Sequence, residues 1–315
     1  MVCRLFLLTI TLAAITACQA FVIRNLPSHG QLRDSKFGAS SSKRGGHGRL
    51  SMQSSSFSIM QSSPEYALLK ESKVLSAKTG RSVALGDVFP TGGKMTIVAF
   101  LTHWGDFNSF EYAQKLLHYL PELERANVNV VAVGIGTVAA AQKFASLVGG
   151  FPLDRLYADE SAVSYGKFGF SRGFAADLPV NPYLKLLPML AGIGSPGTLQ
   201  AVLAGYVGDK KTDASWTGDY LKKEGQGLVD KSAFDVLGRE GARPFEVATV
   251  RLQNMMAILP NWEALVPPNK QLITQQGGSL VFEGRKLVRV YRDRGILTYT
   301  DVEDLLRTVG VARSR

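Results

Sequence analysis

Cysteine is almost missing from this chain. Among 315 residues there are two, Cys3 and Cys18, and both lie close to the start. Beyond Cys18 there is no thiol, which excludes a disulfide framework, a thiolate nucleophile and a thiolate-ligated metal for that part of the chain. Histidine is nearly as scarce: His29 and His47 lie early, leaving His103 and His118 in the body. Two histidines fifteen residues apart do not provide the three or four converging ligands of a zinc site. A Ser-His-Asp hydrolase has weak support, because no G-x-S-x-G elbow occurs and neither body histidine has an evident partner. No metal and no cofactor is expected.

Acidic residues are scarce over the first sixty or so positions. The chain has a formal net charge of +10, but residues 21–63 hold Arg24, Arg33, Lys36, Lys43, Arg44 and Arg49 against Asp34 alone, a net +5, and Arg4 adds one more. Removing both from +10 leaves +4 for residues 64–315. The excess is concentrated in a leader, so nucleic-acid binding by the folded part is not expected. Residues 1–20, MVCRLFLLTITLAAITACQA, have one basic residue, an apolar run and small residues at Cys18 and Ala20, the pattern of a signal peptide. Residues 21–55 are Ser-rich, basic and nearly acid-free, as in an organellar transit peptide. The stacked signals, with Phe21 directly after the first, resemble the plastid presequences of algae whose plastids have extra bounding membranes. The expected location is the plastid, with the mature protein starting between Met52 and Ser63 after a second cleavage near RLSM.

The chain is 45% hydrophobic, enough for a substantial core. MTIVAFL, from Met95, is a β-branched and apolar run expected as a strand covered on both faces. A helix follows, with Phe110, Ala113, Leu117 and Leu120 at helical spacing and Pro121 expected to break or kink it. VNVVAVGIG, from Val128, is a second strand, and Thr137 can cap a helix with Val138, Ala141, Ala145 and Val148 on one face. RLYAD, Arg155 to Asp159, is a third strand, followed by the short helical pattern SAVSYGKFGF. Ser279 to Asp293 reads as two strands around a turn at Glu283 to Arg285, and a last helix is expected with Thr300 as cap and Glu303 completing a capping box. Alternating strands and helices imply βαβ units and a largely parallel sheet.

A long middle lies between these halves. Leu186 to Gly208 is free of charge and formally long enough to span a membrane, yet Pro188, Pro196, Gly192, Gly194, Gly197 and Gly205 interrupt it. It is expected as an apolar loop and short helix, with a peripheral membrane or partner contact as the functional alternative. Residues 209–243, with Lys210, Lys211, Lys222 and Lys223, read as a solvated excursion. From Pro244 a helix is expected with Phe245, Ala248, Leu252, Met255 and Leu259 inward.

At the corner THWGDFNSFE, Asn108 and Glu111 are spaced as N-cap and N3 of a capping box, and Asp106 suits the positive end of a helix. His103 and Trp104 are the candidate pocket residues. A weak second pattern is Gly134-x-Gly136-x-x-Ala139 between strand and helix, with Asp159 ending the next strand, the spacing of a dinucleotide site. Against it, a complete βα unit precedes the glycines.

VAFLTHWGDFNSFEYAQKL, VVAVGIGTVAAAQKF, LYADESAVSYGKFGFSRG and QQGGSLVFEGRKLVRVYRDRGILTY together resemble the peroxiredoxin-like AhpC/TSA group of thioredoxin-fold proteins. The resemblance covers about residues 88–175 and 273–310. It implies an α/β thioredoxin-like three-layer sandwich over 64–310, with a long, mostly helical insertion at about 176–272. Members of the group carry a cysteine, often C-x-x-C, directly after F-x-x-H-x-G. Here that frame is Phe100, His103 and Gly105, so the thiol positions fall on Asp106 and Ser109. A carboxylate cannot attack a peroxide, and a serine hydroxyl without a base is not a nucleophile. The resemblance therefore implies a cysteine-free, non-catalytic binding or scaffold protein with an unidentified protein partner. The alternative is a plastid oxidoreductase working through a bound nucleotide or other non-thiol chemistry.

Overall fold

The computed structural model describes residues 62–90, 94–224 and 230–311. The expected signal peptide, transit peptide and second cleavage site lie outside the described residues, as do the side chains of Lys222 and Lys223.

Seven strands form one mixed sheet: β1 (Lys73–Ser76), β2 (Ser82–Ala84), β3 (Met95–His103), β4 (Asn129–Ile135), β5 (Leu156–Asp159), β6 (Gly278–Glu283) and β7 (Lys286–Arg292), in the order β2-β1-β5-β4-β3-β6-β7. The central β3, β4 and β5 run parallel, whereas β6 and β7 on one side and β1 and β2 on the other are added antiparallel. Parallel strands need crossovers, supplied by α2 (Phe107–Arg125) between β3 and β4 and by α3 (Val138–Leu147) between β4 and β5. Residues Thr96 to His103 are all buried, the signature of a strand covered on both faces. Val98 and Phe100 join Val131, Val133, Tyr165, Phe168, Phe170, Leu280 and Phe282 in a core that includes Tyr66 and Leu69 of α1 (Pro64–Lys70). Helices α2, α3 and α10 (Val302–Thr308) complete the other layer. The expected thioredoxin-like α/β sandwich is the observed fold.

The helix expected to fail at Pro121 continues without interruption to Arg125. An interior proline removes one backbone bond at a cost of about 3 kcal/mol, but Leu120 and Leu123 on either side of it are buried, and their burial offsets that loss. At the last helix the cap is Asp301, whose carboxylate accepts from the Asp304 N–H at 2.9 Å, not Thr300. Thr300 instead hydrogen-bonds the Ser279 hydroxyl at 2.8 Å, and Glu303 turns inward to Lys115 at 3.2 Å, so no capping box forms.

The middle is largely helical: α5 (Pro182–Leu190), α6 (Thr198–Val207), α7 (Ser215–Glu224), α8 (Glu246–Ile258) and α9 (Trp262–Leu265), after the short α4 (Val163–Lys167). The described part of residues 209–243 is a solvated excursion only in part: Asp230 to Glu240 are mostly exposed, but Trp216, Tyr220, Leu221 and Phe234 pack with Val250 in a small core of their own. Helix α8 begins at Glu246 and buries Val247, Val250, Asn254 and Ile258, while Phe245 and Leu252 of the expected inner face point outward. The helix docks through a polar position, Asn254, which apolar periodicity does not register. Among the described residues no helix is long and apolar enough to cross a membrane.

What clamps this layer to the sheet is the polar face of α2. Glu111, Gln114, Lys115 and His118 recur at helical spacing, and three of the four are buried. Glu111 accepts from Arg251 of α8 at 2.7 Å and from the Tyr299 hydroxyl at 2.8 Å. Gln114 and Asn254 exchange two amide bonds of 2.7 and 2.9 Å. Lys115 pairs with Glu303 and lies over the rings of Trp216 and Tyr299. Removing one partner of a buried ion pair strands the other charge at a cost of roughly 3–5 kcal/mol. Arg251→Met is therefore expected to lower unfolding stability by about that amount in urea titration, and Glu111→Gln/Arg251→Met to recover much of it. A single variant with the wild-type midpoint would show that the pair does not hold the layer.

Candidate functional site

The strand-to-helix corner is built by a break in the ladder. β3 shifts register against β4 between Phe100 and His103, and the Tyr165 hydroxyl donates to the carbonyls of Leu101, at 2.5 Å, and Val133, at 3.1 Å. A buried carbonyl left without a partner is costly, so this tyrosine fixes the backbone where the chain turns into α2.

Asp106, not Asn108, is the N-cap of α2: its carboxylate accepts from the Asn108 N–H at 3.2 Å. Asn108 is buried and donates its side-chain amide to the Thr298 carbonyl at 2.8 Å. Glu111 is committed to Arg251 and Tyr299 and completes no capping box. Ser109 is fully buried with its hydroxyl 2.9 Å from that of Thr102.

His103 is buried, and its Nδ1 accepts from the Gly105 N–H at 3.2 Å, which assigns the proton to Nε2. Its ring stands edge-on to Trp262. Burial holds its pKa below the usual histidine value; the nearby Asp106 charge opposes that and Lys270 adds to it. A neutral imidazole at neutral pH follows.

Trp104 is fully buried, packs on Phe144 and leaves its indole N–H without a partner. Its ring occupies the space over the two glycines of the dinucleotide-like pattern. A Cβ on Gly134 would stand 2.3 Å from Trp104 Cζ3, and one on Gly136 would stand 2.7 Å from Cδ1. Gly136 also has φ +134°, which a side chain would resist. Asp159 is engaged as well, accepting from the N–H and hydroxyl groups of Ser161 and Ser164 at the start of α4. The two glycines thus admit the Trp104 indole.

Asp293 was not evident in the sequence. It follows β7, and one of its carboxylate oxygens is buried without a hydrogen-bond partner. Burial first, and then the Asp106 charge, raise its pKa well above the usual carboxylate range, against a hydrogen bond from Gly277. The corner therefore pairs a capping aspartate with a proton-retaining one. Among the described residues no three His, Cys, Asp or Glu side chains converge as a metal site.

His118, which has no visible partner in sequence, acquires two: Asp219 Oδ2 lies 2.9 Å from Nδ1 and Ser215 Oγ 3.0 Å from Nε2. Both partners lie about a hundred residues away, beyond the reach of any local pattern.

The raised pKa of Asp293 fixes a pH dependence. A carboxyl that is neutral in the folded state and ionised in the unfolded chain contributes stability that is full below the ordinary carboxylate pKa and is lost as pH rises toward the folded one. Asp293→Asn removes this loss. The variant is expected to melt higher than the parent at pH 8 and by a smaller margin at pH 4, with roughly 2–4 °C for each kcal/mol regained. Equal margins at both pH values would contradict a proton on Asp293.

Among curated proteins none matches the chain. A model of the AhpC/TSA antioxidant enzyme family matches residues 115–295. The match covers more than half of the chain, runs through the helical middle, and begins beyond Asp106 and Ser109. Together with the seven-stranded thioredoxin-like sheet, it shows that this chain belongs to the AhpC/TSA antioxidant enzyme family.

Proposed function

We propose that this protein is a plastid member of the family that has lost thiol chemistry and acts as a binding or scaffold protein. The observation that carries this reading is the occupant of the corner. Where the family frame places thiols, Asp106 caps a helix and Ser109 is tied to Thr102. A cysteine at this helix start would be activated by the N-terminal N–H groups and the helix dipole. The carboxylate of Asp106 uses the same field for capping, and neither side chain can form a mixed disulfide or reduce a peroxide. The basic, acid-poor leader supports plastid import.

The contact surface in this reading is the outer face of the middle layer. Leu184 and Leu187 of α5, Ile193 in the turn, and Leu199 and Val207 of α6 are each exposed, as are Phe245, Leu252 and Met256 around α8. Exposed aliphatic side chains in number mark an interaction surface. The charge-free run Leu186 to Gly208, followed by Asp209, Lys210 and Lys211, suits peripheral contact with a thylakoid surface through its apolar side chains, with a protein partner held beside it.

Protein starting near Ser54 is expected to show no peroxide consumption and no insulin reduction above buffer with thioredoxin or dithiothreitol as reductant. Thiol-dependent turnover would overturn the proposal. The same protein is expected to sediment with vesicles of plastid lipids, and Leu187→Asp/Leu199→Asp to abolish that. Equal sedimentation of both proteins would remove the membrane part of the reading.

A further inference from the structure

The Ser215, His118 and Asp219 arrangement uses none of the corner residues and stands apart from the binding role. Ser215 opens α7 and Asp219 lies one turn further along, so both project from one side of that helix. They grip His118 of α2 from its two nitrogens, at 3.0 Å for the hydroxyl and 2.9 Å for the carboxylate. Asp219 on Nδ1 sets the tautomer and leaves the Nε2 lone pair to accept the serine proton. The serine is itself fixed. Its backbone N–H donates to Asp213 Oδ1 at 2.9 Å, and Asp213 Oδ2 accepts from the Tyr119 hydroxyl at 2.7 Å. The His118 side chain is 23% exposed and that of Asp219 63%, so a reactant can reach the hydroxyl from solvent.

We infer that Ser215, His118 and Asp219 form a solvent-facing nucleophilic centre for acyl transfer, with Ser215 as nucleophile, His118 as base and Asp219 as the residue that orients it. Asp213 and Asp219 beside the hydroxyl make neutral or cationic esters the fitting substrates and disfavour anionic ones. In the first half-reaction Ser215 Oγ bonds to the acyl carbon and its proton passes to His118 Nε2. The bond to the leaving alcohol then breaks, and the alcohol departs with that proton. Water repeats the sequence on the acyl-serine, releasing the carboxylic acid and restoring both side chains.

The test is a fluorophosphonate probe on the full chain, followed by intact mass and peptide mapping, with p-nitrophenyl acetate as the turnover substrate. One phosphonyl adduct on Ser215 is expected, absent in Ser215→Ala. His118→Gln keeps polar atoms at the position but cannot act as a base, and is expected to slow labelling and ester turnover by about 100-fold. Asp219→Asn is expected to slow both as well, with melting temperatures of all three variants near that of the parent. No adduct, an adduct on another residue, or an unchanged rate in His118→Gln at an unchanged melting temperature would each overturn the inference.

Discussion

The structure depends on one helix face that should have been wet. Glu111, Gln114 and Lys115 lie along α2 on the side away from the sheet, and the helical middle closes over them. Each meets a matched group: Arg251 with Tyr299, Asn254, and Glu303. Buried charges cost several kcal/mol to desolvate, and their attraction recovers this only when the geometry is good and the remaining donors are met. Here Glu111 is held by a guanidinium and a phenol, and Glu303 also accepts from the Asp213 N–H at 3.1 Å. Such pairs add little net stability compared with apolar packing. They do fix register, because sliding α8 along α2 by one turn would leave Glu111 and Gln114 without partners.

The same helix carries the corner, so the clamp also immobilises it. With α2 fixed, Asp106, Asn108 and Ser109 are held by short-range bonds and Trp104 is pressed onto two glycines that cannot take a side chain. The corner is filled by side chains of the chain itself. In a catalytic thiol site a helix start is left open for an anion; here an aspartate closes it, and a second carboxyl, Asp293, stays protonated beside it. The packing of this corner rests on these side chains and their hydrogen bonds.

Strands β3 to β7 and the two crossover helices were legible in the sequence, because MTIVAFL and VNVVAVGIG are continuous apolar runs and Thr137 does cap α3; β1 and β2 were not, and the sheet expected to be largely parallel is mixed because β1, β2, β6 and β7 are all added antiparallel. The middle was not. Periodicity assigns apolar residues inward, and α8 docks instead through Asn254 and Glu246, leaving Phe245 and Leu252 outside. The capping boxes failed for a related reason: Glu111 and Glu303 have the right spacing, but each is drawn to a buried cation more than a hundred residues away in the chain. Gly134 and Gly136 match a phosphate cradle in spacing, and an indole from the preceding loop demands the same absence of Cβ. Asp293 and the partners of His118 had no local signal at all.

If the polar face of α2 is what joins the middle to the sheet, the two cannot open separately. Native-state hydrogen exchange measured at several denaturant concentrations tests this directly. The amides of α2 from Glu111 to His118 and those of α8 from Val250 to Asn254 should share one opening free energy, equal to that of global unfolding. Exchange of α8 through a lower-energy, denaturant-insensitive opening, with α2 still protected, would contradict the account.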